Sequence, residues 1–248
     1  MNIRTFILGL FAIGACGTIS HTRAADSSDS GQTDEVKSQF QWKKNIVTTF
    51  FWIGQGCSSY SDTTNRSSAW VVPWTESYGG VDDPLRRVGF LPRKFAATEN
   101  PFYVALPFND EKFPELAAKW VPWYKAPPRG QKYVSLCRGR WIEIRNRDGK
   151  VCYAQWEDVG PISIDHASYV FGTDRPHEFN KAGLDVSPAV HDYLELGGLD
   201  LTNWRFVEAE DVPYGPWLQY NEQAVMLSKI IQQERLAAEN STKKSDSR

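Results

Sequence analysis

Trp141-Ile142-Glu143-Ile144-Arg145-Asn146-Arg147-Asp148-Gly149-Lys150-Val151-Cys152-Tyr153-Ala154-Gln155-Trp156-Glu157-Asp158-Val159-Gly160-Pro161 is the stretch on which the fold turns. Two runs rich in β-branched and aromatic residues flank Asp148-Gly149, a dipeptide that accepts the positive φ angles of a type I′ hairpin turn. With those two residues as the turn, Ile142, Ile144, Val151 and Tyr153 share one face, the interior of a β framework. The second run ends at Gly160-Pro161, which breaks the ladder.

Outward from this hairpin, residues 46–53 read as a strand, 54–68 as a loop and 102–107 as a short strand. Residues 70–94 are aromatic, Gly- and Pro-rich without helical periodicity, and read as an irregular elaboration. The connection over 111–123, broken by Pro122, has room for one helical turn, and residues 165–183 read as a loop. Ser187-Pro188 gives a helix start, with Ser as cap and Pro at the first position, and Gly197-Gly198 gives its stop. Residues 204–208 close the framework. Residues 220–239 read as an amphipathic helix with Ala224, Leu227, Ile230, Ile231 and Leu236 inward, ahead of a polar, disordered tail over 240–248. The main domain therefore spans 39–217 and the C-terminal helix 218–239.

The first residues carry an export pattern: Arg4, an apolar run, and Thr22-Arg23-Ala24 as a small-residue cleavage site, giving a signal peptide over 1–24. Ile13-Gly14-Ala15-Cys16 offers a second reading, a lipobox in which Cys16 is lipidated and forms the only attachment to a membrane. Residues 25–38 hold too few apolar side chains to offset their ordering entropy and read as a flexible tether. Both readings place the protein outside the cytoplasm, in the periplasm or at the outer membrane, with an extracellular location as the alternative.

Beyond this segment three cysteines remain, Cys57, Cys137 and Cys152, and an oxidising compartment favours one disulfide among them. Cys137 and Cys152 lie far apart along the expected hairpin, roughly 26 Å, against the ~7 Å reach of a disulfide. A bond from Cys57 to one of the two is at least as well supported, unless the strand breaks at Gly139.

A hydrophobic share of 41%, with 10 Trp, 10 Tyr and 13 Phe, is ample for a packed core. The net charge of −2 and pI near 6.1 give no basic footprint for nucleic acid. His166, His177 and His191 lack metal-ligand spacing, and there is no C-x-x-C pair, phosphate loop, dinucleotide fingerprint or nucleophile elbow. No cofactor is expected.

Taken in order, Glu157-Asp158-Val159-Gly160-Pro161, then Leu184-Asp185-Val186-Ser187-Pro188, a helix, a Gly turn and a final strand resemble the double-psi β-barrels of the rare lipoprotein A family. Those barrels are related to the barrels of expansins and family-45 endoglucanases. Asp158, Gly160 and Pro161 match the family's Asp-x-Gly-Pro motif. Asp185 and Ser187 match its Asp-Leu-Ser motif with Val186 for Leu, and Ala105-Leu106-Pro107-Phe108 is similar to its Leu-Pro-Phe segment with Asn109 in place of Gly. The likeness covers about 102–208. It implies a mainly β fold, a six-stranded double-psi barrel, and a role on peptidoglycan or another polysaccharide, with a lytic transglycosylase or glycoside hydrolase as the enzymatic form.

A carboxyl at the end of a barrel strand can protonate a glycosidic oxygen when its surroundings raise its pKa, and Asp158 is that candidate. Glu157, Asp165 and Asp185 are candidate partner carboxyls, although strand alternation points Glu157 to the opposite face from Asp158. Tyr103 stands where the family carries a His, as a hydrogen-bond donor to sugar. Trp156, Trp141, Trp74 and Tyr78 are candidate sugar platforms. A structural alternative stands beside each: Asp158 fixing a turn, Asp185 satisfying the N–H groups of the helix that follows, the aromatics filling the core. In that alternative the protein is a non-catalytic carbohydrate-binding or scaffold module.

Overall fold

The computed structural model describes residues 39–57, 64–178 and 181–246 of the chain, with side-chain surroundings given as far as residue 238. The export segment, the tether and Cys16 lie outside the described residues.

Six strands close into a mixed barrel. In chain order they are β1 (Lys43–Phe50), β4 (Tyr103–Leu106), β5 (Trp141–Arg145), β6 (Val151–Val159), β7 (Ala182–Val186) and β8 (Asp200–Val207), and their order around the barrel is β1-β7-β4-β6-β5-β8. This crossed order, with β1 parallel to β7 and β4 parallel to β6, is the double-psi arrangement expected. Two short strands, β2 (Arg87–Val88) and β3 (Leu91–Pro92), form a separate hairpin. Five helices decorate the barrel: α1 (Trp74–Tyr78), α2 (Pro114–Trp120), α3 (Ala167–Val170), α4 (Pro188–Leu194) and α5 (Pro216–Asp246).

The interior is filled by Ile46, Val104, Leu106, Ile142, Ile144, Cys152, Ala154, Trp156, Leu184, Val186, Trp204 and Phe206. Aromatic rings interlock there, Trp204 edge-on to Phe206 at 5.3 Å and Phe171 stacked on Phe206 at 5.7 Å. Outside the barrel wall a second core of Phe51, Ile53, Trp74, Tyr78, Ala97, Tyr103 and Ala105 lies under the 65–99 elaboration. Strand β4 is buried on both faces because it separates these two cores.

The central hairpin differs from expectation by one residue. Asn146 pairs with Lys150 through the bond from the Asn146 N–H to the Lys150 carbonyl, so the loop has three residues, with Gly149 at φ 85°. The Asn146 side chain accepts from the Asp148 and Lys150 N–H groups, which stabilises the longer turn. Ile142 then faces Ala154 and Ile144 faces Cys152, while Tyr153 pairs with Glu143 on the outer face. A one-residue slip exchanges the faces of a strand, so Val151 and Tyr153 do not share the interior with Ile142 and Ile144. On that outer face the buried Glu143 carboxylate holds Arg205 at 2.7 Å, with Trp42 over the guanidinium.

Other boundaries move for local reasons. Residues 182–186, expected to lie between loop and helix, form strand β7. Helix α4 stops at Leu194, ahead of Gly197-Gly198, because Glu195 adopts the left-handed cap at φ 54°. Helix α2 reaches two turns. Helix α5 runs to Asp246, past the boundary expected at 239 and through part of the expected disordered tail. It buries Ala224 and Leu227, but Ile230 and Leu236, expected inward, are about half exposed at 47% and 52%.

Cys137 and Cys152 are buried free thiols, so neither the Cys57 bond to one of them nor a bond between them is present. Burial pushes both thiols up, Cys152 well above its ordinary range. A thiol reagent is therefore expected to label Cys137 and Cys152 only after denaturation, and reductant to leave the melting temperature unchanged. Mass spectrometry of labelled peptides checks the first expectation and a melt with and without reductant the second.

Candidate functional site

The site grows from β4 and its two neighbours. On the outer face Ala105 pairs with Asp185 of β7 on one side and with Asp158 of β6 on the other, and Asp185 pairs onward with Thr49 of β1. Thr49, Asp185, Ala105 and Asp158 thus form one row across four strands.

Asp158 reaches this row through a bulge. Val104 pairs with Trp156 and Ala105 with Asp158, so Glu157 is the extra residue between two paired ones. Cys152, Ala154 and Trp156 point inward, and simple alternation would send Asp158 inward too; the bulge re-aims it. The alternation assumed for Glu157 and Asp158 is interrupted at this point. Glu157 pairs with Arg138 at 2.9 Å, a partner set separate from that of Asp158.

Small residues clear the space between the carboxyls. Ala105 contributes only a methyl, and a Cβ on Gly160 would sit 3.5 Å from Asp185 Oδ2. Over Asp158 lies a short turn in which the Ser68 hydroxyl accepts from the Trp70 and Val71 N–H groups, and the Ala69 N–H donates to Asp158 Oδ1 at 2.8 Å. Asp158 is 8% exposed, while Ala69 above it is exposed to solvent. Trp70, beside Ala69, packs edge-on to Trp156, and its indole N–H is buried without an acceptor among the described residues.

Burial raises the pKa of Asp158 to about 6, against the opposing pull of the Ala69 and Val159 N–H groups. Burial raises Asp185 to about 7, and the neighbouring Asp158 charge adds to the rise. Glu157 is also raised to about 7 by burial, with Arg138 opposing. Asp185 accepts no hydrogen bond among the described residues and is not a helix cap. That task falls to Ser187, whose hydroxyl accepts from the Val190 N–H at 3.3 Å.

The expected sugar contacts are placed elsewhere. The Tyr103 hydroxyl is buried in the second core, where it donates to Asp82 at 3.0 Å and accepts from the Ile53 N–H. Asp82 in turn receives Arg87, so Tyr103 ties the barrel to the β2–β3 hairpin and does not face the carboxyl pair. Trp74, Tyr78 and Trp156 are fully buried and offer no face to a sugar, and Trp141 is half-buried on the other side of β6 from β4. Sequence reasoning did not bring out Asp82 or Ala69 as parts of this arrangement. Asp82 lies in the irregular region, and only its fully buried position marks it. Among the described residues no three His, Cys, Asp or Glu side chains are grouped to hold a metal, and no helix is long and apolar enough to cross a membrane.

No family model matches the chain, and no curated protein does. Among solved structures it is similar to the Streptomyces papain inhibitor (SPI), with 16% identity and a TM-score of 0.29 over 70% of this chain and 100% of that one.

The raised carboxyls set a pH dependence of stability. A carboxyl whose pKa is higher in the folded than in the unfolded chain contributes stability fully present below about pH 4, which is lost as pH rises through the folded values of about 6 and about 7. Asp185→Asn removes the larger part of this loss. Relative to the parent, the variant is expected to gain about 4 kcal/mol between pH 4 and pH 8, read from denaturant melts at both pH values. An equal difference at the two pH values would contradict the assignment.

Proposed function

We propose that this chain is an exported cell-envelope protein that acts on peptidoglycan glycan strands, with the Asp158–Asp185 pair supplying the proton for cleavage of a glycosidic bond. One observation carries the reading: two carboxyls on the outer face of adjacent barrel strands, separated only by Ala105, both raised toward neutrality by burial. With Asp158 raised to about 6 and Asp185 to about 7, the pair holds a proton near neutral pH. The resemblance of the Asp158-Gly160-Pro161 and Asp185-Ser187 motifs to rare lipoprotein A barrels supports a glycan as the substrate.

In this mechanism the protonated member of the pair donates to the glycosidic oxygen as the bond between C1 and that oxygen breaks, and the leaving sugar departs as an alcohol. The ionised partner stabilises the positive charge developing at C1. The C6 hydroxyl of the same sugar then attacks C1, and its proton passes to the carboxylate that gave one up. The pair returns to its starting charge and the product is an anhydro sugar. No water enters the bond-forming step in this mechanism. Access requires the Ala69 N–H to leave Asp158, a single hydrogen bond under an exposed turn.

A second reading, a non-catalytic carbohydrate-binding module, is favoured by that same bond. The Ala69 N–H caps Asp158, and three of the four expected aromatic platforms are core residues. Incubation of the purified protein with intact and stem-peptide-free peptidoglycan, followed by mass spectrometry of the soluble products, separates the two. Anhydro sugars are expected from the parent, with a rate that falls as pH rises through about 7, and are expected to be at least about a hundredfold reduced in Asp158→Asn and Asp185→Asn. Reducing-end products would indicate hydrolysis. Retention on the glycan without products from any form would overturn cleavage and leave the binding module.

A further inference from the structure

A second concave site lies away from the carboxyl pair, between the β2–β3 hairpin and α5. It is a cleft of about 490 Å³ lined by Arg86, Arg93, Lys94, Ile231, Glu234, Arg235 and Ala238. Four cations and one carboxylate face this space, in a chain whose overall charge is −2. The excess of positive charge is therefore local. Among the described residues Arg86 makes one ion pair, with Asp83 at 3.5 Å, and its side chain is 58% exposed, which leaves the guanidinium available. Arg93, Lys94 and Arg235 make no ion pair among the described residues, and Glu234 makes none with them.

The cleft is held open by the fold. Arg87, next to Arg86, is buried against Asp82 and the Phe90 carbonyl, and Asp82 is held by the Tyr103 hydroxyl on β4. The Arg93 N–H donates to the Arg86 carbonyl, which brings the two arginines together across the hairpin mouth. On the opposite wall α5 is seated through the buried Ala224 and Leu227, and this seating presents Ile231, Arg235 and Ala238 to the cleft. Buried contacts thus fix the two elements from which the four cations project.

We propose that this cleft binds a phosphate-bearing anion, the phosphate held by Arg86, Arg93, Lys94 and Arg235 and the attached organic group lying against Ile231 and Ala238. Phosphate suits the site better than a single carboxylate. Its several oxygens accept from more than one guanidinium fork at once, and the near-dianionic charge of a monoester offsets more of the local excess. The cleft is also larger than one phosphate, so the remaining space and its apolar wall fit an organic substituent. The proposal does not depend on the activity of the carboxyl pair, because no residue is shared between the two sites.

The test is a chemical-shift titration of the full chain with inorganic phosphate at constant ionic strength, with acetate and chloride in parallel. Saturable shifts confined to amides of 86–94 and 231–238 are expected with phosphate alone, and R93Q/R235Q is expected to weaken binding by about tenfold or more. Asp158→Asn is expected to bind as the parent does, so failure of the catalytic reading leaves this result intact. Both substituted arginines are exposed, and unchanged amide shifts elsewhere confirm that the double variant is folded. Glycerol phosphate and a glycerol phosphodiester then distinguish the source: tighter binding of the monoester assigns a phosphorylated small molecule, and tighter binding of the diester a phosphodiester polymer. Non-saturating shifts, equal shifts with acetate or chloride, or parent-like affinity in the double variant would overturn the site.

Discussion

The pairing of the four-residue strand β4 between β6 and β7 is the constraint on which the rest of the molecule depends. Its inward side chains, Val104 and Leu106, belong to the barrel core, and its outward ones, Tyr103 and Ala105, to the second core. Each outward residue has a distinct consequence. Tyr103 grips Asp82 and through it Arg87, which orders the hairpin at the far edge of the elaboration. Ala105, by being small, lets the carboxyls of the neighbouring strands share one face. A larger residue at 105 would fill that space, and a polar one at 103 without a reach like that of Tyr would leave Asp82 without its barrel-side partner.

Among the acids raised by burial, Asp185 differs in having no donor or cation against it among the described residues. Asp110 is satisfied by the Tyr133 and Ser135 hydroxyls and by the Leu136 and Cys137 N–H groups. Glu143 is neutralised by Arg205, and Asp82 by Arg87 and Tyr103. These three behave as structural acids do, each compensated by donors or a cation. Asp185 has no such donor among the described residues and faces a second carboxyl instead. Folding tolerates this cost without a structural return, and strongly perturbed acids of that kind concentrate where chemistry is done.

Much of the barrel was legible from local signals: the strand-forming runs at 141–145 and 151–156, a turn near Asp148-Gly149, and the Ser187-Pro188 helix start. Those signals act between near neighbours in sequence. What escaped depends on single residues deciding between close alternatives. Asn146 closes the turn one residue earlier than Asp148-Gly149 alone suggests, and that slip exchanges the faces of Val151 and Tyr153. The bulge at Glu157 has no composition signature, yet it decides that Asp158 looks outward. Strand β7 was hidden because its Gly183 and Asp185 are poor strand formers in isolation, and pairing to β1 and β4 overrides that preference. Asp158 and Asp185 were identifiable through motif order. The placement of Tyr103 and the aromatics was not, because burial against an irregular segment cannot be read from residue type.

The central claim is that burial raises both Asp158 and Asp185, and that the Asp158 charge raises Asp185 further. Titration of the aspartate side-chain carboxyl ¹³C signals, with assignments from Asp158→Asn and Asp185→Asn, measures this directly. The structure predicts midpoints of about 6 for Asp158 and about 7 for Asp185, with the Asp185 midpoint falling once the Asp158 charge is removed. Midpoints near the ordinary aspartate value of about 4 for both residues, unaffected by substitution of the other, would contradict it.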